Sequence, residues 1–341
     1  MNQKSIPSKS MILGCLGQRL TADEKAFYRD EQPWGFILFG RNIGEAAQIQ
    51  DLVAEMRETV GGRNAPVLID QEGGRVQRIR DPIAPRYPSG AMIGEYYRAD
   101  AEKGLRAAWL LSRLHAFDLY RLGINVDCLP VLDVPVEGAS NVIGDRAYAT
   151  DPQIVAAIGQ AAADGLKAGG VLPVMKHIPG HGRGMADSHH DLPVVTVPRA
   201  DLEAHDFLPF RALRNELMAM SCHVVYSDID PDHPASTSRI VTDEIIRGSI
   251  GFEGLLMSDD ISMNALKGTI GERAERIAGV LDIILHCHGH MDEMQAVAAA
   301  ASELSGAART RADAVEAAFG LPDDSDEQAL RDEFASLLAV A

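Results

Sequence analysis

Positive charge, cysteine and long apolar runs are all in short supply in this 341-residue chain. Its 32 Lys and Arg stand against 49 Asp and Glu, a net charge of −17. Such a surface repels phosphate backbones and excludes a general nucleic-acid role. No segment approaches the roughly 18 apolar residues of a membrane helix. The apolar run Met11 to Leu16 is short even for the core of a secretion signal, so a soluble cytoplasmic protein without a membrane partner is expected. Cys15, Cys128, Cys222 and Cys287 are far apart, each inside an apolar segment. Zinc-knot and redox spacings are both missing, which leaves buried thiols acting as small hydrophobes. Disorder, collagen and coiled coil are excluded by a composition of 46% hydrophobic and 24% charged residues.

What the chain does contain is a recurring unit. Short runs rich in Val, Ile and Leu occur at Met11 to Gly17, Gly35 to Gly40, Pro66 to Asp70, Ile124 to Asp133, Val171 to His177, Ala219 to Asp228, Leu255 to Asp259 and Ile283 to Cys287. Helical spacing falls between them, at Ala46 to Val60, Ala101 to Leu122, Ile154 to Ala168 and Leu202 to Leu217. Continuous apolar strands alternating with helices predict a parallel sheet covered on its outer face. Eight such units predict an α/β fold, a single-domain (β/α)8 TIM-type barrel spanning 1–341, with its core at about 11–290 and outer helices at about 291–341. An open doubly wound sheet fits less well. The Gly14 to Gln18 turn lacks the third glycine, and no acidic ribose ligand follows about 20 residues on.

In a barrel the active site lies where strands end, and polar residues crowd those places here. Arg41 and Asn42 follow the second run; Asp70, Gln71, Glu72, Gly73, Gly74, Arg75 and Arg78 follow the third. Asp133 ends the fourth, with Asn141, Asp145 and Arg146 downstream; Lys176 and His177 end the fifth, followed by Pro179, Gly180, His181 and Gly182, and Ser258, Asp259 and Asp260 end the seventh. Singly, each reads as a cap or an ion pair. Convergent hydrogen-bonding groups around one mouth suit a polyhydroxylated ligand such as a sugar. Gly73 and Gly74 read equally as a simple turn.

The stretch from His177 to Leu192 holds His181, Asp187, His189, His190 and Asp191 within a long strand-to-helix connection. His177 and His181 have the spacing of a zinc-protease helix, but Pro179 and Gly180 oppose a helix and no Glu follows the first His. Asp187 and His189 flank Ser188, so an extended chain puts both side chains on one side. That pattern allows a proton-transfer pair or simply a hydrogen-bonded loop histidine. Asp259, after Leu255 to Met257, projects into the mouth as a candidate nucleophile. Asp260 is expected to point elsewhere and cap the next helix. Three other chemistries compete: a zinc-dependent barrel hydrolase, a Schiff-base lyase using Lys176, and a catalytically silent sugar binder.

Five segments together, Lys176 to Gly182, Asp187 to His189 with Leu192 and Pro193, Met257 to Met263, Asp70 to Arg78 and Gly35 to Asn42, resemble glycoside hydrolase family 3 over about residues 11 to 290. The resemblance is narrower still, to the family's bacterial β-N-acetylglucosaminidase branch. It implies Asp259 as nucleophile, His189 as general acid/base, Asp187 as its orienting partner, and Asp70, Arg78, Arg146, Lys176 and His177 as holders of a terminal N-acetylglucosamine. It further implies a cytoplasmic β-N-acetylhexosaminidase acting on muropeptides of wall turnover, with no cofactor or metal, and a monomer is expected. β-Glucosidase and phosphorylase activities remain alternatives on the same barrel. Two departures from the family pattern stand out. Val280 and Leu281 both separate Ala278 and Gly279 from Asp282, and His288 stands where an asparagine is common.

Overall fold

The computed structural model describes residues 7–184 and 192–339. Along the chain come β1 (Lys9–Leu13), α1 (Ala22–Glu31), β2 (Pro33–Leu38), α2 (Ala46–Thr59) and β3 (Val67–Ile69), then a hairpin of β4 (Gln71–Gly73) and β5 (Val76–Gln77). Next are α3 (Gly90–Ala99), α4 (Ala101–Tyr120), β6 (Val126–Asp127), α5 (Pro152–Ala168), β7 (Leu172–Pro173) and β8 (Met175–Ile178). Beyond them lie β9 (Val194–Val195), α6 (Arg199–Ala204), α7 (Leu208–Ala212), β10 (Met218–Ser221) and β11 (Val225–Tyr226). A π-helix Val241–Ile250 precedes β12 (Leu255–Met257), α8 (Ile270–Ala278) and β13 (Ile284–His286). α9 (Met291–Ala300), α10 (Gly306–Ala318) and α11 (Glu327–Ala339) follow the last strand, where outer helices were expected.

The fold is α/β with parallel strands. Pairing gives a six-stranded sheet, β13-β1-β2-β3-β6-β7, and a three-stranded sheet, β12-β10-β8, rather than one unbroken eight-membered ring. β7 and β8 are separated only by Val174, and single parallel bridges join Val131 to Lys176 and Met257 to Ile283.

Burial explains why the strand segments read as continuously apolar. Ile12, Leu68, Val174, Met220, Leu255, Met257 and Leu285 belong to one buried cluster. Their neighbours Leu13, Ile69, Met175, Ala219, Leu256 and Ile284 belong to another, shared with helix residues such as Leu52, Leu111 and Ile158. Each strand therefore buries both faces, as a helix-covered parallel sheet requires. The same alternation carries the inward direction of Leu68 on to Asp70, of Val174 to Lys176, and of Met257 to Asp259.

Local signals account for the boundaries. Thr21 and Glu24 form a reciprocal capping box at the start of α1, with Glu24 N to Thr21 Oγ1 at 3.1 Å and Thr21 N to Glu24 Oε2 at 2.8 Å. The single helix expected over Leu202 to Leu217 is instead two short ones, α6 and α7. Pro209 lies in the first turn of α7, where its missing N–H costs nothing, whereas inside a continuous helix it breaks the ladder. Gly73 and Gly74 do form a turn, at φ of 92° and 56°. A Cβ on Gly73 would stand 2.3 Å from the Pro88 carbonyl oxygen, so only glycine fits there. Among the described residues no helix is long and apolar enough to cross a membrane.

Candidate active site

A cavity of about 730 Å³ opens at the carboxyl ends of the strands, and Asp70, Arg78, Arg146, Lys176, His177 and Asp259 all line it. Six of the eight residues singled out from the sequence are thus brought together. Asp187 and His189 lie outside the described residues.

The charged groups interlock. Lys176, on β8, is almost wholly buried, with Nζ 2.8 Å from Asp70 Oδ1 and 2.6 Å from Glu72 Oε1. Arg78 Nη2 donates to the other Asp70 oxygen at 3.0 Å. Arg146 holds Glu72 bidentately, Nη2 to Oε1 at 2.7 Å and Nε to Oε2 at 2.9 Å. Burial pushes both carboxyls toward neutrality, but the adjoining cations win. Asp70 is held well below the carboxylate range by Lys176 and Arg78, and Glu72 is brought down to about 2 by Arg146 and Lys176. Burial likewise favours a neutral Lys176, yet Asp70 and Glu72 raise its pKa and keep it protonated. A lysine fixed in this way is no Schiff-base nucleophile, which removes the lyase reading.

A second cluster adjoins it. Asp133, fully buried, is held at about 2 against the pull of burial, chiefly by His177 and His181. It accepts from His177 Nδ1–H at 2.7 Å and from the backbone N–H of His181 at 2.6 Å. This leaves His177 Nε2 as the ring nitrogen available to a ligand. The two histidines share no helix: His177 lies in β8 and His181 beyond its end.

Asp259 differs from Asp70, Glu72 and Asp133. Among the described residues no cation pairs with it, and its donor is the backbone N–H of Asp260, 2.8 Å from Oδ1. Its own N–H donates to Ser221 O at 3.1 Å, which ties the end of β12 to β10. Asp260 does not cap the next helix as the sequence suggested, since α8 begins at Ile270 under the cap of Thr269. Asp260 Oδ1 instead accepts from Ser262 N at 3.1 Å and Cys287 N at 3.2 Å, closing a local turn and bridging to the end of β13.

Glu72 and His223 were missed as site residues. Glu72 stood in the polar run after the third strand, but nothing in spacing distinguishes a carboxylate that meets Lys176 from one that faces water. His223 is buried, and burial favours its neutral form. Its Nδ1 lies 2.7 Å from Ser236 Oγ and its Nε2 donates to the Asp260 carbonyl at 3.0 Å, steadying the backbone that carries Asp259. Its place just after β10 was the available signal.

A cavity at parallel strand ends, walled by pre-paired charges and holding the Asp259 carboxylate, which no cation pairs among the described residues, defines an α/β enzyme of the glycosidase class. The chain belongs to glycosyl hydrolase family 3: residues 6–317 match that family's N-terminal domain. It is 36% identical over 297 residues to a beta-hexosaminidase of Xylella fastidiosa (strain 9a5c), covering 84% of this chain and 87% of the relative. A beta-hexosaminidase of Bordetella avium (strain 197N) is 35% identical over 290 residues, covering 83% and 81%. Among solved structures, native NagZ from Neisseria gonorrhoeae superposes with a TM-score of 0.85 at 31% identity, over 98% of this chain and 97% of that one.

Proposed function

We propose that this family 3 member is an exo-β-N-acetylglucosaminidase. It removes terminal β-linked N-acetylglucosamine from muropeptides, GlcNAc-1,6-anhydro-MurNAc and its peptides, in the cytoplasm and with retention of configuration. The observation that carries this reading is the Asp259 carboxylate in the cavity wall, paired with no cation among the described residues, beside the chain of ion pairs Arg78–Asp70–Lys176–Glu72–Arg146. The relatives' name beta-hexosaminidase supports a hexosaminide substrate, and the lining of the cavity supports the chemistry.

In this mechanism Asp70, Arg78, Lys176 and His177 hold the sugar hydroxyls in place, with their partners already paired so that no reorganisation accompanies binding. Arg146 supports them through Glu72. Asp259 attacks the anomeric carbon as the aglycone oxygen departs with a proton from His189. Water then attacks the glycosyl ester, giving its proton to His189 and releasing Asp259. Asp187 orients the imidazole. The other carboxylates lining the cavity support a histidine in the acid role. Asp70 is locked to two cations, and Asp260 is engaged with Ser262 and Cys287.

The scaffold in this reading is one closed barrel in a single domain, core at about 11–290 with outer helices after it. The continuity of β7 into β8 and the Met257–Ile283 bridge support that closure. Hydrolysis of a chromogenic β-N-acetylglucosaminide beside its β-glucoside analogue tests the activity. A strong preference for the acetamido sugar, and splitting of GlcNAc-1,6-anhydro-MurNAc into its two sugars, is expected. Equal rates on both glycosides would contradict it.

A further inference from the structure

β13 ends at His286, and the chain passes through Cys287 to His288 before α9 begins at Met291. Cys287 lines the cavity, whereas His286 is wholly buried on the opposite face, against α9. There its Nε2 meets Oε2 of Glu293, in the first turn of α9, at 2.8 Å. His288 is about half exposed, lines the cavity, and brings Nδ1 to 3.5 Å from the same glutamate oxygen. One ring nitrogen from each histidine and one carboxylate oxygen all fall within 4.8 Å of one another.

We propose that His286, His288 and Glu293 form a zinc-binding site at the rim of the cavity, with the fourth position open to solvent. Zinc takes nitrogen at about 2.0–2.1 Å and carboxylate oxygen at about 2.0–2.2 Å, so tetrahedral ligands sit about 3.3 Å apart. The three atoms bracket that spacing. His288 and Glu293 are exposed enough to adjust toward it, whereas His286 is buried. Two imidazoles and one carboxylate select first-row transition ions over Mg²⁺ and Ca²⁺, which prefer all-oxygen sites. The site is separate from the proposed chemistry: no bond made or broken at Asp259 involves these residues.

Equilibrium dialysis of the full-length protein against Zn²⁺ tests this, with His288→Asn, Glu293→Gln and His189→Ala compared beside wild type. The last variant removes a histidine of the proposed acid/base pair and none of the three proposed ligands. Wild type and His189→Ala are expected to hold a rim zinc that His288→Asn and Glu293→Gln bind about tenfold or more weakly. Zinc should raise the melting temperature of wild type more than that of either rim variant, measured against each protein's own value in chelator. Zinc binding by both rim variants with wild-type stoichiometry and affinity would overturn the proposal. So would a wild type that takes up no zinc, leaving the trio as a plain hydrogen-bonded cluster.

Discussion

Arg146 and Glu72 face each other as a fork against a carboxylate, with contacts of 2.7 and 2.9 Å, in a wall where their side chains are only 12% and 4% exposed. Because Glu72 Oε1 also accepts from Lys176 at 2.6 Å, a single carboxylate compensates two buried cations. In the proposed mechanism Arg146 therefore acts on a bound sugar through Glu72 and Lys176.

Glu72→Gln should accordingly destabilise the fold by about 3 kcal/mol, since removing one partner of a buried pair strands the others. It should also raise KM more than it lowers kcat, because Lys176 loses its positioning. Urea unfolding together with steady-state kinetics checks both. A variant of wild-type stability and unchanged KM would contradict the network.

Stability should fall on mild acidification because of His115. This imidazole is fully buried on α4 and burial brings its pKa down to about 3, so the folded protein keeps it neutral while the unfolded chain takes up a proton below about 6.5. A depressed histidine contributes stability that is complete above the unfolded value and is lost as pH falls toward the folded one. Between pH 6.5 and pH 5 that loss is roughly 2 kcal/mol. In His115→Gln, which cannot titrate, the slope of stability against pH over this range should be flatter than in wild type by about that amount. Parallel slopes would contradict the assignment.

The acid/base role proposed for His189 predicts a dependence on leaving group. His189→Ala should lose most activity on substrates with alkoxide leaving groups and far less on aryl glycosides whose phenols depart unaided. Equal losses on good and poor leaving groups would show that this histidine gives no proton.

Much of this was legible before any coordinates. The strand segments were visible because a sheet buried on both faces leaves unbroken apolar runs. Asp70, Lys176 and Asp259 were visible because strand alternation carries an inward direction one step past the last apolar residue. Pairing partners were harder to see. Glu72 meets Arg146 across 74 positions of chain, and His223 reaches the Asp260 carbonyl across 37, separations at which spacing carries no information. The expected helix over Leu202 to Leu217 failed because its apolar periodicity continues across a proline that the backbone cannot accommodate in mid-helix. Asp260 was misjudged because the chain after it turns back through Ser262 instead of entering a helix.

In the proposed mechanism Asp259 attacks the anomeric carbon. A slow fluorinated N-acetylglucosaminyl substrate that accumulates the covalent intermediate, followed by peptide mapping by mass spectrometry, tests it most directly. The sugar is expected on the peptide containing Asp259, with no adduct in Asp259→Ala and a loss of several orders of magnitude in that variant's turnover. A sugar carried by any other residue, or Asp259→Ala turning over at near wild-type rates, would contradict the account.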